Sequence, residues 1–150
     1  MLFQPDIIVT GPEGSDIALV VEVKTHVHDL ESSERQLKRY MVGMGCPAGL
    51  LVTPGRLWLY RNRYSGASED SIERVGEFDL RNVAGLETAA TRRSEVEFEQ
   101  FVQSWLEGLG TEAGLRELPA ELRRAAEWYM VPAISQGTIR AGHPRSVLSA

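Results

Sequence analysis

Residues 17–25, Ile-Ala-Leu-Val-Val-Glu-Val-Lys-Thr, hold the longest apolar run of the chain and end it on two charged side chains. Ile17 to Val21 are continuously apolar, as expected of a central strand covered on both faces. Glu22 and Lys24 stand two apart, so on a strand they share one face. Upstream, residues 5–9 (Pro-Asp-Ile-Ile-Val) read as a short strand, and the turn-rich stretch Thr10 to Asp16 makes a hairpin the simplest connection. In a hairpin centred on Gly14, Asp6 stands directly opposite Glu22. A slip of one residue would separate them.

Downstream, Leu37, Tyr40, Met41 and Met44 recur at helical spacing and predict a helix over Leu30 to Met44. Asp29 or Ser33 can cap its start, and Gly43 or Gly45 can end it. Residues 49–53 and 56–61 predict two strands around a Pro54-Gly55 turn, and residues 72–80 a further edge strand. From Ser94, the stripe Val96, Phe98, Phe101, Val102, Trp105, Leu106 predicts an amphipathic helix. A second is expected from Pro119 to about Tyr129, stopping before Pro132, with a loosely ordered tail from Gly137. The expectation is one α/β domain over 1–150: a mixed sheet with one helix in 1–80, helices in 94–131 and a tail over 137–150.

One cysteine, Cys46, excludes an internal disulfide and favours a cytoplasmic setting. The start, MLFQPDIIV, lacks the basic and apolar regions of a signal peptide, and no apolar run reaches membrane-spanning length. The net charge of −5 argues against a non-specific DNA coat. Yet residues 22–63 carry seven basic against four acidic side chains, whereas 64–112 carry four against eleven, so a basic face on an acidic protein is expected.

The chemistry rests on Asp6, Glu22 and Lys24. Cβ atoms directly opposite in a hairpin lie about 4.5–5.5 Å apart, and two carboxylates at that spacing repel unless a cation lies between them. The Val23 carbonyl offers a further oxygen, and Lys24 can orient or deprotonate a water beside the ion. For Glu22 and Lys24 alone, a plain ion pair at a strand end is the better account, since charged residues are common there; Asp6 opposite them changes the balance. Ser33 and Gln36 fit a capping box, and Tyr40 fits simple core. As i and i+4 residues, Gln36 and Tyr40 also share a face toward Lys24. His26 and His28 suggest only a thin transition-metal site, and no phosphate-binding glycine loop or nucleophile elbow is present.

Pro5-Asp6 followed by Glu22-Val23-Lys24 resembles the PD-(D/E)xK signature of restriction-endonuclease-like nucleases. Gln36 to Tyr40 resembles the QxxxY motif of RecB-like members, and residues 49–61 resemble the strand pair of the nuclease domain in type I restriction enzyme motor subunits. The resemblance covers residues 4–61 and extends toward Phe78-Asp79-Leu80. It implies a restriction-endonuclease-like fold and Mg²⁺-dependent cleavage of DNA, with Mn²⁺ as an alternative ion. Asp6, Glu22 and Val23 would hold the metal, and Lys24 and Gln36 would serve the water. Tyr40, Lys38, Arg39 and Arg56 would contact the nucleic-acid backbone. The family's helix ahead of the PD motif, with its glutamate, has no counterpart before Pro5. The helix around Glu95 to Leu109 is the internal substitute, through Glu97 or Glu99; a homodimer or partner chain is the other source. The alternative function is a silent module of the same fold that binds nucleic acid or protein.

Overall fold

The Ile17–Val23 run forms the strand β2, flanked by β1 (Ile7–Thr10) and β3 (Ala48–Val52) in a computed structural model that describes residues 3–14, 16–81, 83 and 94–143. The sheet has six strands in the order β5-β4-β3-β2-β1-β6, with β4 at Arg56–Asn62, β5 at Ile72–Asp79 and β6 at Thr138–Ala141. Only β2 and β3 pair in parallel, because the helix α1 (Leu30–Met44) carries the chain back between them. The class is therefore α/β with a mixed sheet.

β2 is apolar at every position from Ile17 to Val21 because both its faces are covered. Val20 packs with Leu37 and Met41 of α1 and with Leu51, Trp58 and Tyr60. Leu19 and Val21 face the other way, toward Phe98, Val102 and Leu106 of α2 (Glu95–Gly108). Helices α3 (Glu112–Arg116), α4 (Ala120–Ala125) and α5 (Val131–Gln136) complete that second layer. Phe98 is wholly buried, so Phe98→Ala should cost about 3–5 kcal/mol in denaturant unfolding. Truncation at about residue 93 should leave insoluble protein, since it bares the whole face.

Asp29 caps α1 by accepting from the Ser32 N–H, and Gly45 ends it at φ +64°, where a side chain would be strained. The Ser33–Gln36 capping box therefore does not form. Ser94 and Glu97 do form one, at the start of α2.

Two expectations at the C-terminal end need correction. The helical path does not stop before Pro132. Pro119 is the cap rather than the first residue of α4, and the chain runs through a π-turn at Ala126–Met130 into α5. Pro132 falls in the first turn of α5, where its missing N–H goes unneeded. Nor is the segment after Gly137 loose: β6 pairs antiparallel with β1, setting Ile7 against Ala141. Residues 144–150 of the expected tail lie outside the described residues. No helix among the described residues is long and apolar enough to cross a membrane.

Candidate metal centre and its cleft

The hairpin register sets Ile7 opposite Val21 and Ile8 opposite Val20, shifting only at the Val9/Thr10 bulge near the turn. Extended by one residue, it places Asp6 opposite Glu22. The two carboxyl groups approach closely enough to share a hydrogen bond. Extended by two, it places Pro5 opposite Val23. Pro5 has no N–H for the ladder, and the Val23 N–H instead donates to Asp6 Oδ2 at 2.7 Å. Neighbouring Lys24 points its N–H the other way, to the Val52 carbonyl. By strand alternation the Val23 N–H and C=O both point to the β1 side, where Pro5 has no N–H to offer that carbonyl.

Two side chains from the C-terminal half complete the cluster. Nε2 of His143 lies 3.3 Å from Asp6 Oδ1 and 3.9 Å from Glu99 Oε1. One ligand atom each from Asp6, Glu99 and His143 lies within 4.8 Å of the other two, and Glu22 adjoins this set through Asp6. The cluster forms where the sheet ends, so α2 can reach it from the far layer. Glu99, on the same helix turn as buried Phe98 and Val102, is itself buried. Glu97, its alternative as the substitute glutamate, is occupied in the capping box. His143 follows β6, whose approach is close: the Gly142 N–H donates to the Asp6 carbonyl. A Cβ at Gly142 would stand 2.2 Å from the Pro5 carbonyl oxygen. Sequence reasoning missed His143 because nothing local marks it. The Gly-His pair acquires meaning only once β6 is paired with β1.

Electrostatically the cluster is short of positive charge. Burial pushes the Glu22 carboxyl up to about 9, and the hydrogen bond and charge of Asp6 add to this against the pull of Lys24. For Asp6, burial acts upward too. Hydrogen bonds with Glu22, Glu99, the Val23 N–H and His143 outweigh it and hold the carboxyl below its usual value. Without an added cation, the pair thus keeps a proton on Glu22 and the charge on Asp6. Glu22 is 6% exposed, and its Oε1 is buried with no hydrogen-bond partner among the described residues. A buried acceptor left so costs about 1–3 kcal/mol.

Lys24 stands beside this cluster, Nζ 3.6 Å from Glu22 Oε2, with its side chain 30% exposed. It opens onto a cleft of about 450 Å³ shared with Gln36, His26, His28 and Glu95. Gln36 is exposed on α1. Tyr40 packs edge-on against Phe3, with ring centroids 5.5 Å apart, and against the α1-side core. Arg39 is held by Glu69 at 3.1 Å and Arg56 by Glu77, which also accepts from the Trp58 indole. Lys38 is half-buried on α1. The structure therefore brings together Asp6, Glu22, Val23 and Lys24, adds Glu99 and His143, and places Gln36 in the cleft that Lys24 lines. It does not bring Tyr40, Arg39 or Arg56 into that group. No family model, curated protein or solved structure matches the chain.

Proposed function

We propose that the chain is a divalent-metal-dependent nuclease of the restriction-endonuclease-like class, hydrolysing phosphodiester bonds of DNA. The observation that carries this reading is the closure of Asp6, Glu99 and His143 on one point beside Glu22, whose neighbour Lys24 lines an open cleft. The residues fit a cation. Three carboxyl groups and an imidazole converge, and a buried carboxyl oxygen, Glu22 Oε1, lacks a donor among the described residues. Asp6, Glu99 and His143 would hold the ion, with Glu22 and the Val23 carbonyl as further oxygens.

A bound cation would supply a Lewis acid that lowers the pKa of water and neutralises charge on the phosphate. The chain's own part is positional. The Val23 N–H fixes Asp6, α2 fixes Glu99, and the β1–β6 pairing fixes His143. Lys24, held near Glu22 yet open to the cleft, holds the attacking water and offers a positive charge to the phosphate. Gln36, which lines the same cleft as Lys24, offers an uncharged amide to that water or to the lysine. Cleavage of supercoiled plasmid in the presence and absence of Mn²⁺ or Mg²⁺ tests the reading. Metal-dependent nicking is expected.

The imidazole among the oxygen ligands bears on the choice of ion. Carboxylates serve Mg²⁺ and Mn²⁺ alike, whereas imidazole suits the transition metals better. His143→Ala should therefore weaken Mn²⁺ binding by about tenfold or more and Mg²⁺ binding by less, read by calorimetric titration.

A further inference from the structure

Four residues past Glu22 the chain has left the sheet, and its next three residues are sorted by Val27. Val27 packs on the α1-side core, which leaves its neighbours His26 and His28 exposed. Their rings meet edge to face, with centroids 4.2 Å apart and Nε2 to Nε2 at 2.7 Å. At that distance one Nε2 carries a hydrogen and the other accepts it. Both rings line the same cleft as Lys24 and Gln36, and the other charged groups on that wall are Asp29 and Glu95. Asp29 is occupied as the cap of α1, accepting from the Ser32 N–H.

A phosphodiester in this cleft needs two proton services. The water side has Lys24 and the carboxylates. Departure of the sugar oxygen needs a proton donor, and none of the metal-cluster carboxyl groups opens onto the cleft wall that the two histidines line. We propose that the His26–His28 pair donates the proton to the leaving sugar oxygen, an inference that rests on the nuclease reading of the same site. The water oxygen bonds to phosphorus as the bond from phosphorus to the sugar oxygen breaks. The pair acts in the form that carries one extra proton: the imidazolium gives that proton to the departing oxygen, is left as neutral imidazole hydrogen-bonded to its neighbour, and takes up a proton from solvent. The water's own proton leaves to solvent past Lys24. Neither ring supports the fold, so both can be changed without disturbing the core.

The test compares wild type with the double variant His26→Gln/His28→Gln in Mn²⁺ on two substrates. One is supercoiled plasmid, whose leaving group is a basic alkoxide. The other is the p-nitrophenyl ester of thymidine 5′-phosphate, whose leaving nitrophenolate needs no proton. The variant is expected to nick plasmid about 10²-fold more slowly while releasing nitrophenolate within about threefold of wild type. Undiminished plasmid nicking, or an equal loss on both substrates, overturns the inference and leaves the nuclease reading standing. Wild type inert toward both substrates overturns the two together.

Discussion

Lys24→Ala is expected to lower plasmid cleavage by about 10³-fold or more while Mn²⁺ affinity stays close to that of wild type. The proposed ligand atoms would come from Asp6, Glu99 and His143, whereas the Lys24 ammonium stands 3.6 Å from Glu22. Removing that charge would take away the proposed contact with water and phosphate but none of the proposed ligands. It also relieves repulsion between the lysine and an incoming cation, so affinity should hold or tighten. Asp6→Ala should instead lose both binding and cleavage, because Asp6 touches every other member of the cluster. Calorimetric titration of both variants beside a nicking assay separates the roles. Equal metal affinity in wild type and Asp6→Ala, or full activity in Lys24→Ala, contradicts them. Metal binding by a wild type that cuts nothing would favour the silent binding module.

Glu22→Gln should have the second largest effect, and it should act on opposite sides of metal addition. In the metal-free protein Glu22 is held protonated, its carboxyl raised from an ordinary value near 4.5 to about 9. A raised carboxyl means the folded state binds the extra proton, so the contribution is full below the unfolded pKa and fades as pH climbs through about 9. Gln copies the protonated acid. The variant's metal-free stability at pH 7 should match or exceed that of wild type, and its decline between pH 7 and 9 should be shallower. With Mn²⁺ at a hundredfold its dissociation constant, wild type should gain about 5–10 °C in Tm, and the variant only about 2 °C or less. A variant stabilised by metal as much as wild type would show that Glu22 does not face the ion.

How much of this was legible beforehand depends on how local each signal is. The β2 run, the α1 stripe and the capping residue Asp29 carry their own periodicity, so Ile17–Val23 and Leu30–Met44 lie close to where the sequence places them. The opposition of Asp6 and Glu22 agrees with the register of Ile7 and Val21, although the bulge at Val9/Thr10 means that the turn alone does not set it. β6 was not legible. Thr138–Ala141 is only four residues long, half-exposed, and becomes a strand because β1 offers it an edge. His143 is lost with it, since its partner stands 137 residues away. Glu99 was within reach, being on a strongly patterned helix. The choice between Glu97 and Glu99 needed the capping box and the buried face of α2 to be known. Arg39 and Arg56 show the converse limit: basic side chains in a promising segment were engaged by Glu69 and Glu77, carboxylates from the acidic half.

The central claim is that one divalent cation and one phosphate meet at the Asp6 cluster. Crystals grown with Mn²⁺ and a short DNA duplex, measured at the manganese absorption edge, examine it most directly. The account predicts an anomalous peak bounded by Asp6, Glu99 and His143, with a backbone phosphate between it and the Lys24 ammonium. A peak elsewhere, at the His26–His28 pair for instance, or DNA bound with no manganese at the cluster, would contradict it.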